Sequence, residues 1–136
     1  MTKSLTVEKE YNHPIEKVWR AITNPEAIAK WFIPGDFKPV VGSEYSFANE
    51  YTKVRGKIIN LEEPVLMVYS WIKEDTEIET IVSWKLKETE SGTKLTILHE
   101  GIEKYKDHPD LYKRNEEGWN MVLRLVENYL ESYEKN

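Results

Sequence analysis

Residues Asp110–Glu134, DLYKRNEEGWNMVLRLVENYLESYE, decide how the rest of the chain is read. Leu111, Asn115, Trp119, Val122, Val126, Tyr129 and Tyr133 recur at steps of three or four, and Leu123 and Leu130 widen that stripe. This period predicts one long helix with one buried face. Arg114, Glu116, Glu117, Asn120, Arg124, Glu127, Asn128 and Glu131 fall mostly on the other side. Such a helix is roughly 37 Å long and needs a large apolar surface to lie on. Gly118 is out of place, because an interior glycine costs about 1 kcal/mol relative to alanine. Either something approaches the backbone closely there or the helix start frays.

The surface comes from the preceding residues. Ser4–Tyr11 alternates Leu5, Val7 and Tyr11 with Thr6, Glu8 and Glu10, as a strand with one wet face does. Asn12-His13-Pro14 ends it, with His13 as a turn residue. Pro14–Thr23 then carries a helical stripe of Ile15, Val18, Trp19 and Ile22, with Pro14 suited to the first turn. After Asn24-Pro25-Glu26, Ala27, Ile28, Trp31 and Phe32 predict a second short helix, ended by Pro34-Gly35. From Asp36 to Gly101 the period falls to two. The expected strands are Phe37–Val41, Glu44–Glu50, Thr52–Leu61, Val65–Ile72, Glu77–Lys87 and Lys94–Gly101. In the third of these, Val54/Ile58 and Ile59/Leu61 favour opposite faces. Short loops join the strands, which predicts an antiparallel meander. Only the C-terminal helix is long enough to cover one face of it. The fold class is therefore α+β: a curved seven-stranded antiparallel sheet wrapped around that helix, with two short helices after the first strand.

Composition narrows the function. A chain of 136 residues suits one domain, 1–136, with a real core. Basic residues number 19 against 24 acidic ones and are scattered, so no basic face for nucleic acid is expected. The chain has no cysteine, which removes thiolate catalysis, disulfides and cysteine metal sites. No apolar run reaches the length of a membrane span and no signal-peptide core precedes the first strand, so a cytoplasmic location is expected. No phosphate loop, nucleotide fingerprint, nucleophile elbow or zinc-protease motif is present, and no cofactor is implied.

The segment YNHPIEKVWRAITNPEAIAKWF resembles the opening of the START/SRPBCC helix-grip superfamily. The branch it resembles includes the homologues of the heat-shock-protein ATPase activator. PVLMVYSW, GTKLTILHEG and EGWNMVLRLVENYL continue the resemblance in register over essentially the whole chain. The resemblance implies a seven-stranded sheet gripping the C-terminal helix, two small helices closing one end, and often a cavity between sheet and helix. Members include carriers of hydrophobic ligands, cyclase-type enzymes and co-chaperone domains, so the fold alone leaves the activity open. The segment KDHPDLYKRN is an extension of variable length among relatives and could serve as a lid.

The residues expected to line such a cavity are Tyr45, Phe47, Met67, Tyr69, Trp71, Trp84 and His99 from strands. Gly118, Trp119, Val122 and Val126 join them from the helix, with Trp31 near the end of the groove. They read as an aromatic pocket for a small hydrophobic molecule; the plain alternative is that they fill the core. Gly118 would leave space beside Trp119. Tyr45, Tyr69, Trp71 and Trp84 each carry a polar atom that needs a partner when buried, and those atoms would orient a ligand. His99 falls on the inward face beside Leu95 and Ile97. It could donate to a ligand or act as a base, or it could be a structural histidine bonded within the protein. Glu100 and Glu79 point away by parity, so no catalytic dyad is evident.

His108 with Asp107 and Asp110 has metal-ligand chemistry, but Asp107 reads better as a helix cap and no metal site is assigned. Lys53, Arg55 and Lys57 read as a solvated strand face. Trp31-Phe32-Ile33-Pro34-Gly35 is either a portal rim or a lid packed on the end of the sheet. The function expected is binding of a small hydrophobic molecule without chemical change. The rivals are an enzyme of cyclase or hydrolase type using His99 with a pocket tyrosine, and a module that assists a chaperone ATPase.

Overall fold

The computed structural model describes residues 4–33, 35–48, 53–73, 76–105 and 110–134. Strand β1 (Ser4–Tyr11) is followed by helices α1 (Ile15–Thr23) and α2 (Pro25–Trp31). Strands β2 (Gly35–Asp36), β3 (Glu44–Ala48), β4 (Lys53–Glu62), β5 (Leu66–Lys73), β6 (Ile78–Glu88) and β7 (Thr93–Glu100) come next. Helix α3 (Asp110–Glu134) closes the chain. The strands form one antiparallel sheet of order β1-β7-β6-β5-β4-β3-β2, so the first strand joins the last and the others follow as a meander.

The expected order and number of strands hold, with one relocation. Phe37–Val41 is not a strand; pairing is confined to Gly35–Asp36 against Ser46 and Phe47. Pro39 has no N–H for a ladder, and the bonds from Val40 N to Lys38 O and from Ser43 N to Val40 O coil the segment instead. The two-faced pattern of β4 also has a cause. Ile58 pairs with Tyr69 but Asn60 with Val68, so Ile59 is an extra residue that bulges outward. The bulge inverts the parity, and Leu61 comes to face the same side as Ile58, opposite buried Met67.

Helix α3 lies on the inner face of the curved sheet. Leu111, Trp119, Leu123, Val126 and Leu130 are buried along one stripe, each contributing roughly 1.5–3 kcal/mol of burial. Tyr133, expected to extend the stripe, lies outside the described side chains. The Tyr11 hydroxyl donates to the Leu123 carbonyl at 2.7 Å and ties β1 to the middle of α3. Helices α1 and α2 pack across one end, against α3. Pro14 caps α1. Asn24 caps α2 by accepting from Glu26 N and Ala27 N at 2.8 and 3.2 Å, which explains why the second helix restarts there. His13 sits in the bend after β1, but its ring is buried and its Nε2 lies 3.9 Å from Glu131 of α3. After β7, a 3₁₀ turn over Ile102–Tyr105 buries both of its ends in the core. Of the expected lid, 106–115, residues 106–109 lie outside the described residues, and 110–115 form the first turns of α3.

Candidate functional site

A strand places alternate side chains on one face, so β5 aims Met67, Tyr69, Trp71 and Lys73 at the concave side. Trp84 of β6 stands opposite Met67. Tyr45 and Phe47 of β3 extend the surface, and Trp31 and Phe32 fold over its end from α2. The rings run in near-continuous contact: Phe32–Phe47 at 5.5 Å between centroids, Tyr45–Tyr69 at 5.1 Å, Tyr69–Trp71 at 6.4 Å and Trp71–Trp119 at 5.1 Å. Tyr45 can lie flat because its cross-strand partner is Gly56. A β-carbon there would stand 2.7 Å from the Tyr45 ring and 1.9 Å from the Ser70 carbonyl.

These rings and the N-terminal half of α3 border a pocket of about 430 Å³. Leu111, Arg114, Asn115, Gly118, Met121 and Val122 form part of its helical wall. Arg114, Gly118 and Met121 are exposed, so the pocket opens to solvent beside this half of the helix. A β-carbon on Gly118 would meet nothing within 4 Å. Close backbone approach is therefore not the reason for the glycine, and the helix is continuous through it, so neither is fraying.

Ten of the residues anticipated from sequence border the pocket: Trp31, Tyr45, Phe47, Met67, Tyr69, Trp71, Trp84, Gly118, Trp119 and Val122. His99 and Val126 do not. Val126 is fully buried two turns beyond Trp119, where α3 rests directly on the core. His99 is also fully buried, and Trp119 stands against it at 5.9 Å between rings. Lys73, Arg114 and Leu125 border the pocket without having been anticipated. Strand parity after Tyr69 and Trp71 carried the signal for Lys73. Arg114 had none, since its helical position points toward solvent. In the Trp31–Gly35 segment Trp31 is buried and its Nε1 donates to the Ala21 carbonyl at 2.7 Å, Phe32 and Ile33 are half-buried, and Gly35 is exposed.

The His99 ring has both nitrogens engaged. Trp119 Nε1, a donor only, gives its hydrogen to Nδ1 at 3.1 Å. The neutral ring must then carry its proton on Nε2, which donates to Thr80 Oγ1 at 2.7 Å. Thr80 in turn donates to the Trp71 carbonyl at 3.2 Å. The chain Trp119–His99–Thr80–Trp71 is complete, so the imidazole is bonded within the protein. Burial pushes the His99 pKa down to about 4, which keeps the ring neutral.

The other buried polar atoms are mostly spent within the protein. Tyr45 donates to the Ser70 carbonyl at 2.7 Å, and Trp84 Nε1 donates to the Tyr69 hydroxyl at 2.8 Å. Burial, and secondarily the neighbouring Tyr69, pushes the Tyr45 phenol well above its usual value. Burial does the same to Tyr69, opposed by the bond from Trp84. Both therefore remain protonated. Trp71 Nε1 is the exception: it is buried and has no partner among the described residues. Those residues also contain no His, Asp and Glu cluster able to hold a metal, and Asp107 and His108 lie outside them. No described helix is long and apolar enough to cross a membrane.

A curved seven-stranded antiparallel sheet closed over a long C-terminal helix defines a protein of the helix-grip class. The chain belongs to the family described as Activator of Hsp90 ATPase homolog 1-like protein, whose match spans residues 12–131. Similar solved structures include protein MLL2253 from Mesorhizobium loti, 26% identical over 96% of this chain and 98% of that one, with a TM-score of 0.87. Protein BH1534 from Bacillus halodurans is 26% identical over 95% and 99% of the two chains, with a TM-score of 0.77. CalU16 from Micromonospora echinospora is 25% identical over 95% and 76%, with a TM-score of 0.80. No functionally curated protein matches the chain.

Proposed function

We propose that the protein binds a small hydrophobic molecule, flat or aromatic in shape, between the sheet and the N-terminal half of α3, and does not change it chemically. The observation that carries this reading is the pocket of about 430 Å³ walled by aromatic rings on both sides. That size lies within the range of small-molecule sites. The absence of obstruction around Gly118 supports it, since a larger residue there would reach into the opening. The binding rather than catalytic reading rests on His99, the base a reaction would use, having both ring nitrogens engaged within the protein, one of them by the wall residue Trp119.

The test is fluorescence titration with N-phenyl-1-naphthylamine. Saturable quenching of tryptophan emission with matching gain of probe emission is expected, and Gly118→Leu should weaken binding about tenfold or more. Absence of saturable binding by the folded wild type would sink the proposal. The family description favours one alternative, docking to a chaperone ATPase. Capture of that chaperone, unaffected by Gly118→Leu, would favour it.

A further inference from the structure

We infer that Asn115 sets the pocket's specificity, its amide hydrogen-bonding to an uncharged oxygen, a carbonyl or a hydroxyl, on the flat molecule held among the rings. This rests on the binding reading above and adds the polar group that the ligand carries.

The place of Asn115 in the helix comes first. Leu111, Asn115, Trp119, Val122 and Val126 follow one another at helical steps, and Asn115 interrupts an otherwise apolar series. Residues 112–114 and 116–118 on either side of it are exposed, whereas Asn115 is half-buried and borders the pocket, one turn from buried Leu111 and one from buried Trp119. For the fold alone, asparagine is a poor choice there. It forms helix less well than leucine, because its side chain competes for backbone hydrogen bonds. Its amide makes no hydrogen bond among the described residues, and it is not one of the side-chain groups sealed in the core. It is therefore both free and reachable from the pocket.

The second observation is what the rest of the lining has left to offer. Trp31, Tyr45, Trp84 and Trp119 give their hydrogens to Ala21, Ser70, Tyr69 and His99. Trp71 Nε1 is fully buried. Of the two cations, Lys73 has an interaction of its own, and Arg114 is exposed at the mouth. Among the described lining residues, Asn115 is the uncharged polar side chain with no hydrogen bond inside the protein and a reachable amide. A primary amide carries two N–H donors and an acceptor oxygen, so it discriminates by hydrogen bonding and not by charge. Small-molecule sites fix orientation and specificity with a few such groups in an apolar wall. An oxygen on the ligand takes the amide N–H. A hydrocarbon face laid against Asn115 would strip the amide of water and return nothing.

The experiment compares two probes with the same aromatic body. One is 6-propionyl-2-(dimethylamino)naphthalene, which carries a ketone, and the other is 2-(dimethylamino)naphthalene, which does not. The first readout is the ratio of their affinities. The second is the emission maximum of the bound ketone, which moves to longer wavelength when its carbonyl accepts a hydrogen bond. Both are taken in the wild type, in Asn115→Leu, which keeps the size, and in Asn115→Ala, which keeps the helix, with folding checked by circular dichroism. The ratio should shift against the ketone by about fivefold in both variants, the worth of one neutral hydrogen bond. In Asn115→Leu the bound emission should also move to shorter wavelength, which a purely structural role would not cause. An unchanged ratio and emission with both probes bound would overturn the assignment of Asn115 alone. So would a wild type that binds the probe without the ketone and rejects the ketone. Failure of both probes to bind the wild type would overturn it together with the binding reading.

Discussion

The indole N–H of Trp119 donates to Nδ1 of His99 over 3.1 Å, and that bond fixes where the imidazole carries its proton. A second proton would have to displace the Trp119 donor inside the core. The folded protein takes it up only near pH 4, whereas the unfolded chain does so near the ordinary value of 6.5. Between those values the unfolded state holds more protons. The stability present above pH 6.5 is therefore lost as the pH falls toward 4. The loss between pH 7 and pH 4.5 should be about 2 kcal/mol from this group. Urea unfolding at both pH values should show a smaller drop in His99→Gln than in wild type. Equal drops would remove His99 as the source.

Thr80 sits between two obligations, accepting from His99 Nε2 and donating to the Trp71 carbonyl. Thr80→Val keeps the shape and removes the oxygen. His99 then has a buried N–H with nowhere to donate, a loss of about 1–3 kcal/mol. Thermal unfolding at neutral pH should show the destabilisation. A change near zero would mean that the imidazole finds another acceptor.

Gly56 is held by its surroundings rather than by its own dihedrals. Alanine would place a carbon 1.9 Å from the Ser70 carbonyl, which already accepts from Tyr45. The obstacle is backbone and cannot rotate away. Gly56→Ala should therefore cost about 3 kcal/mol, at the upper end of overpacking effects. It should also release the Tyr45 ring from the sheet, visible as a change in near-ultraviolet circular dichroism. A variant as stable as wild type would show that β4 and β5 can separate locally.

Most of this fold can be read from periodicity, because burial of one face per strand or helix is what the pattern records. Tyr45, Phe47, Met67, Tyr69, Trp71 and Trp84 reach the pocket by parity alone. Periodicity cannot distinguish a side chain that borders a hollow from one that fills the core, which is why Val126 falls in the same helical stripe as Trp119. Nor can parity show what stands in front of a residue. His99 faces inward as expected, but Trp119 comes from a distant part of the chain and stands against it. The bulge at Ile59 leaves a trace as a conflict of faces, yet its position depends on the partner strand. Arg114 carries no trace, since only the opening beside α3 turns an outward helical position into a rim.

Gly118 separates stability from function in one residue. Inside a helix, glycine is worse than alanine by roughly 0.5–1 kcal/mol. That penalty comes from backbone entropy, and a neighbour too close to admit a β-carbon would make it unavoidable, but here none lies within 4 Å. Gly118→Ala should therefore stabilise the protein, raising the melting temperature by about 2–5 °C for a chain of this size. Its single added methyl should leave the pocket open, whereas the longer side chain of Gly118→Leu should obstruct it while keeping most of the helical gain. Calorimetry and probe titration on the two variants read the two effects separately. Destabilisation by alanine would show that the backbone at Gly118 is constrained by something other than open space. Stabilisation by both variants with undiminished probe binding by Leu would place the binding site away from this stretch of α3.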